Sequence, residues 1–185
     1  MPFPKLALSL TFAALLAACQ QEGASKADGD AAGNAGAALT VQSTPKLWNS
    51  GEVKPIDIQV AHPNGTVLQL TKLQSRQTDT VVGMRVINGR DKDIDLNRLS
   101  GNRDGYLLLD TGERLYLSPP STNTRLSIPA GQTFEGELVF LGRLPSVKSA
   151  VLVLNENSSA DNRYTTTPGF RVDLPVSDGQ AGAGQ

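Results

Sequence analysis

An antiparallel β-sandwich of about seven to nine short strands is the fold class this sequence predicts, and three observations lead to it. Apolar and polar residues alternate in short runs, which is the pattern of a strand with one face buried. Clusters of Gly, Pro, Asn and Asp interrupt the runs about every ten residues and supply turn chemistry. No stretch of the globular part sustains the 3.6-residue period of an amphipathic helix. A small closed barrel is the runner-up architecture.

In chain order, Pro55 to Val60 places Ile56, Ile58 and Val60 on one face with Asp57 and Gln59 on the other, and Pro55 suits an edge strand. His62-Pro63-Asn64-Gly65 is a turn, which makes His62 a turn residue rather than a ligand; Thr66 to Leu73 returns as the next strand. Thr80 to Asn88 follows, with Val82, Met84 and Val86 as core residues, and Asn88-Gly89 ends it. Tyr106 to Asp110 and Glu113 to Leu117 flank Thr111-Gly112 as a hairpin. Pro119-Pro120 stops any central strand. Arg125 to Ile128 is a short strand, and Thr133 to Leu141 a longer one that turns Phe134, Leu138 and Phe140 inward and Glu135 and Glu137 to solvent. Val147 to Leu154 and Gly169 to Leu174 complete the set.

These strands occupy one domain over residues 46–176, about 130 residues and enough for a core. Ahead of it, Lys5 and the apolar run Leu6 to Ala18 read as a secretory leader over residues 1–18, too short for a span of roughly 20 apolar residues. Leu16-Ala17-Ala18-Cys19 resembles the lipobox of bacterial lipoproteins, which implies that the Cys19 thiol is lipidated and that Cys19 begins the mature chain. Residues 19–45 are Gly, Ala and polar types with few branched apolar side chains, the composition of a disordered spacer, and residues 177–185 read as a tail of the same kind. Gln20, where an acidic residue is absent, is by the same resemblance compatible with outer-membrane sorting.

With 17 basic and 18 acidic residues, the basic ones scattered singly, the chain offers no phosphate-tracking stripe for nucleic acid. A single cysteine excludes internal disulfides and cysteine-ligated zinc, and a single histidine excludes a histidine-rich metal site. No cofactor is called for. Asp91, Asp93 and Asp95 are spaced like the first half of a calcium loop, but Leu96 and Asn102 stand where that loop needs Gly and Glu. What remains is a candidate non-standard calcium site of Asp91, Asp93, Asp95 and Asp104, set against a solvated loop whose Ile94 and Leu96 pin it to the core. Glu135 and Glu137 share a strand face about 7 Å apart, yet that face is opposite Phe134, Leu138 and Phe140, so neither has the apolar surroundings that a general acid for glycosidic chemistry needs. Ser43-Thr44-Pro45-Lys46 matches S-x-x-K, but Pro45 forbids the helix that motif needs. Trp48 is either a surface anchor for a partner or a lid over one end of the sandwich.

The strand closing in Asn88, the run Leu107 to Tyr116, and Ile128-Pro129-Ala130-Gly131 followed by Gly136 to Phe140 resemble an immunoglobulin-like domain found in bacterial extracellular lipoproteins, whose function is not established. Ala130 departs from the Pro-Gly usual there. The resemblance implies an immunoglobulin-like sandwich and transfers no catalytic residue. The expected protein is a non-enzymatic interaction module on the cell envelope, held at the membrane by its N-terminal lipid and facing an envelope protein partner. The alternative is an immunoglobulin-like protease inhibitor acting through its loops. The long connections Asp91 to Gly105, Ser118 to Thr124 and Asn155 to Pro168 are the expected contact surface under either reading.

Overall fold

The computed structural model describes residues 46–99, 101 and 103–177. The leader, Cys19, the spacer and the tail beyond Ser177 lie outside the described residues. The fold is an all-β antiparallel sandwich. One sheet is formed by β1 (Lys54–Ala61), β2 (Thr66–Ser75), β3 (Asp79–Asn88) and β8 (Thr133–Leu141), in the order β1-β2-β3-β8. The second is formed by β5 (Tyr106–Leu109), β6 (Arg114–Tyr116), β9 (Ala150–Leu154) and β10 (Phe170–Leu174), in the order β10-β9-β5-β6. A ribbon of β4 (Ile94–Asp95) and β7 (Ser127–Ile128) ties the Asp91–Gly105 connection to the chain just after Ser118–Thr124. Segment Arg125 to Ile128 is therefore extended only at its end, and Val147 to Leu154 only from Ala150, because Lys148 and Ser149 bond the Asp110 corner instead.

Alternation places the core between the sheets. Leu68, Leu70, Leu73, Val82, Met84, Val86, Leu138 and Phe140 come from the first, and Leu107, Leu109, Leu115, Leu152, Leu154, Phe170 and Val172 from the second. Ile94, Leu96, Leu126 and Ile128 join the same cluster, so the connections around the ribbon are pinned to the core. β1 is an edge strand, as Pro55 requires, and its pairing slips between Pro55 and Ile58 in a bulge that blunts the edge. Between the sheets at the other side, Leu117 bridges Phe140 and Ser118 N–H donates to Val139 O.

One core assignment needs correction. Phe134 shares the inward register of Leu138 and Phe140, yet it is 37% exposed. It lies six residues, about 20 Å along the strand, from that last bridge to the facing sheet. Its ring folds over Gly136, where a Cβ would sit 2.7 Å from the ring edge. Gly136 thus accepts the ring, and period-2 reasoning gave the side of the strand but not the depth. Glu135 and Glu137 do face outward, paired with Arg85 at 3.2 Å and Lys72 at 2.5 Å. Such exposed pairs add little stability.

Candidate functional site

Strand register puts the long connections together. β5 begins at Tyr106, β6 ends at Tyr116, β9 ends at Leu154 and β10 begins at Phe170, and these residues neighbour one another across the sheet. All three long connections therefore leave the same end of the second sheet. The first sheet contributes its 62–65 turn and the chain after Asn88 to that end: Asn64 Nδ2 donates to Thr165 O at 3.1 Å, and Arg90 reaches the 155–168 connection. The opposite end carries the N-terminal side of the domain. There Trp48 N–H donates to Leu144 O, Ser75 Oγ donates to the same carbonyl, and the Trp48 indole N–H donates to Val176 O at 2.7 Å. Along β2 the two ends are about 30 Å apart.

Two buried asparagines organise the loop end. Asn88, fully buried, donates through Nδ2 to Lys92, Ile128 and Pro129 carbonyls and accepts from Arg90 N–H. Asn155 has a left-handed φ of 50°, donates to Asp95 O and Pro168 O, and accepts Arg98 N–H at 2.7 Å. It ties the Asp91–Gly105 connection to the 155–168 one. Arg90 holds the tip of the latter: Nη1 donates to Arg163 O and Thr165 O, and Nη2 to Tyr164 O. Thr165 N–H closes a turn on Asn162 O, so the tip is braced from within, and Tyr164 is 80% exposed.

The acidic residues do not assemble a calcium site. Asp93 Oδ1 accepts Ala130 N–H at 3.0 Å, while Asp95 pairs with Arg125 at 2.6 Å and bonds Ser127 Oγ. Asp91 is exposed. Asp104 is 3% exposed and has Arg98 3.9 Å away. Among the described residues no three His, Asp or Glu side chains converge on one point. The reason is β4: extended backbone at Ile94–Asp95 keeps alternate carboxylates about 7 Å apart, where a calcium loop must curl to bring oxygens within about 2.4 Å of one ion. Asn102 lies outside the described residues.

Trp48 is 1% exposed, so it is the lid of its two readings and offers no ring face to a partner. His62 closes the first turn: its Nδ1 accepts Asn64 N–H at 3.1 Å, and its ring meets Phe170 edge to face at 5.7 Å. Sequence reasoning placed it in the turn but did not foresee its burial.

A cluster that sequence reasoning missed lies on the outer face of the second sheet beside these loops. Tyr106 and Tyr116 pack edge to face at 6.2 Å, the Arg114 guanidinium stacks 4.3 Å from the Tyr106 ring, and that of Arg103 sits 4.8 Å from the Tyr116 ring. The Tyr106 hydroxyl donates to Glu156 Oε1 at 2.6 Å, and Arg114 pairs with the same carboxylate at 3.4 Å. Burial, then the hydrogen bond to Glu156 and its negative charge, raise the Tyr106 pKa above the ordinary 10.0, against the opposing pull of Arg114 and Arg171. The neutral phenol is the form the fold favours. Its contribution to stability is complete below pH about 10 and is lost as pH rises through the raised folded-state value. Spectrophotometric titration at alkaline pH should show a late tyrosinate that Tyr106→Phe removes. If that variant leaves the titration curve unchanged, the hydroxyl is not held as described.

No protein-family model and no curated protein matches this chain. Among solved structures, it is similar to a functionally unknown protein from Listeria monocytogenes EGD-e, with 12% identity, a TM-score of 0.45, and coverage of 73% of this chain and 95% of that one.

Proposed function

We propose that this protein is a lipid-anchored lipoprotein of the cell envelope, tethered through Cys19, whose sandwich is a non-enzymatic interaction module that meets an envelope partner with its loop end. The observation that carries the reading is the separation of the two ends. The domain's first described residues lie at the Trp48 end, while all three long connections gather at the other, about 30 Å away along β2. A spacer attached at the Trp48 end would leave the loop end free to engage a partner. Fixing the 155–168 tip with Arg90 suits such a role, because a loop already ordered loses less conformational freedom on binding. The same clamp weighs against a substrate-like inhibitory loop at this tip. Such a loop offers its carbonyls to the enzyme, and those of Arg163, Tyr164 and Thr165 are engaged from within.

Two measurements test the proposal. Cys19→Ser should abolish incorporation of labelled fatty acid and partitioning into detergent; unchanged partitioning removes the anchor. Trimming the 155–168 tip between Ser158 and Arg163 should leave the melting temperature within a few degrees and eliminate the crosslinked partner identified by mass spectrometry on intact cells. A crosslink that survives trimming of every long connection rules out the loop end as the contact.

A further inference from the structure

The edge that β8 gives to the first sheet is paired over only part of its length. After β6, Leu117 bridges Phe140, and Ser118 N–H donates to Val139 O at 2.7 Å. Pro119 and Pro120 come next, and with no N–H to offer they end the ladder. Register then shows which backbone groups of β8 are left free. Asn88 N–H donates to Gln132 O, and antiparallel pairing alternates in steps of two, so Phe134, Gly136 and Leu138 turn their N–H and C=O toward β3. Thr133, Glu135 and Glu137 turn theirs outward, in line with the Val139 carbonyl that takes Ser118. Among the described residues, nothing hydrogen-bonds the backbone of these three on the open side. Gly131 to Glu135 is exposed throughout, and Glu137 with it.

A row of outward donors and acceptors about 7 Å apart is a template for one more strand. The other edge of this sheet is blunted by Pro55 and a bulge, whereas β8 keeps an unbroken register with β3 from Leu141 to Thr133. Resting on the interaction-module reading above, we infer that the open part of β8 takes an extended segment of a partner protein as an added strand, with apolar side chains on its inner face and uncharged or basic ones on its outer face. On the inner face the Phe134 ring, 37% exposed and folded over Gly136, is an apolar shelf for such a strand. On the outer face Glu135 and Glu137 form the rim, and their cations Arg85 and Lys72 reach them from β3 and β2, away from the edge. An acidic residue opposite this rim would be repelled. The same rim counts against a second copy of the chain. A two-fold pairing that used all three outward residues would set Glu135 against its own counterpart at about 5.5 Å between Cα atoms. Thr133 pairs with Ile87, next to Asn88, so the added strand would lie beside the loop end already proposed as the contact.

The test uses the full-length protein in detergent and a rhodamine-labelled peptide of three Val-Lys repeats between serines, followed by fluorescence anisotropy. The peptide should bind. N-methylation of its lysines, whose amides would face β8, should weaken it about tenfold or more, whereas N-methylation of its valines, whose amides would face away, should stay within about threefold. Glu135→Pro removes one outward N–H and leaves the β3 ladder intact, so it should lose about tenfold with a melting temperature within a few degrees of the wild type. Glu135→Gln keeps the backbone and should stay within about threefold. Absence of binding to the wild type overturns the inference. So does equal loss on methylating either set of amides, a loss in Glu135→Gln as large as in Glu135→Pro, or equal binding of a peptide of three Val-Glu repeats. A wild-type dimer in sedimentation equilibrium that Glu135→Pro dissociates would give the edge to a second copy and overturns it as well. If the peptide fails to bind while loop trimming still abolishes the partner crosslink, the loops alone make the contact and the module reading stands.

Discussion

Replacing Phe140 by Ala should lower stability by about 3–5 kcal/mol, seen as a fall in the urea midpoint at constant slope. The ring is fully buried, and Phe140 sits where the two sheets are bridged, with Leu117 on one side and Thr80 on the other. Removing it deletes the transfer energy of a large apolar group and leaves a cavity that two hydrogen-bonded sheets cannot easily close. Phe134→Ala, in the same register, should cost only about 1 kcal/mol, because that ring keeps more than a third of its surface in water. Glu137→Ala should stay within about 0.5 kcal/mol, since an exposed cross-strand ion pair is worth little. The contrast between Phe140 and Phe134 is the informative part. Equal costs would mean that the sandwich extends over Phe134, and a cost at Glu137 exceeding that at Phe140 would put the strand one residue out of register.

Two kinds of information separate what the sequence discloses from what it does not. Period-2 alternation is local, so β1, β2, β3, β8 and the Thr111-Gly112 hairpin are legible within a residue or two of their ends. Val82, Met84 and Val86 are all buried as expected. Alternation says nothing about what stands opposite, which is why Phe134 reads as core. It also misses two-residue strands: Ile94–Asp95 has no run of its own and becomes extended only because Ile128 pairs with Ile94. That distant pairing is what dismantles the calcium spacing.

Polar hubs are hidden for a related reason. Asn88 and Asn155 look like ordinary turn residues, and turns are where Asn is common. Besides the local bond from Asn88 to Lys92, their side chains reach carbonyls 40 and 60 residues away, respectively, which no local window contains. The Tyr106 cluster left a partial trace. Leu107, Leu109 and Leu115 face inward, so Tyr106 and Tyr116 had to share the other face of one hairpin. Adding Arg171 needs the β9–β10 and β5–β9 registers, and adding Arg103 needs the path of a connection. Separation of the two ends of the domain is likewise a property of topology, and it became visible only once Trp48 was found on Val176 and Asn64 on Thr165.

The second large effect is expected at Trp48. Its indole is almost fully enclosed, and its N–H donates to Val176 O, so one side chain fastens the segment before β1 to the chain after β10. Trp48→Ala should cost about 3–5 kcal/mol from lost packing, and the Val176 carbonyl would lose its donor as well. Trp48→Phe separates the two contributions. Much of the apolar volume is kept while the hydrogen bond goes, so the cost should fall to about 1–2 kcal/mol. Lys54, whose ammonium lies 5.5 Å from the indole, is exposed enough that its attraction to the ring adds only about 0.5 kcal/mol. Because Trp48 is the sole tryptophan, wild-type emission should be blue-shifted in the native state and move to the red on unfolding, which gives a direct probe of this end of the domain. Hydrogen exchange should then locate the damage. In Trp48→Ala, amides of residues 46–52 and 174–176 should exchange faster, while those at the far end, Arg90 N–H on Asn88 Oδ1, Tyr164 N–H on Asn162 Oδ1 and Thr165 N–H on Asn162 O, should keep their wild-type protection relative to global unfolding. A Trp48→Ala cost below about 0.5 kcal/mol would show that the segment ahead of β1 is not docked, and with it would go the fixed relation between the Trp48 end and the loop end.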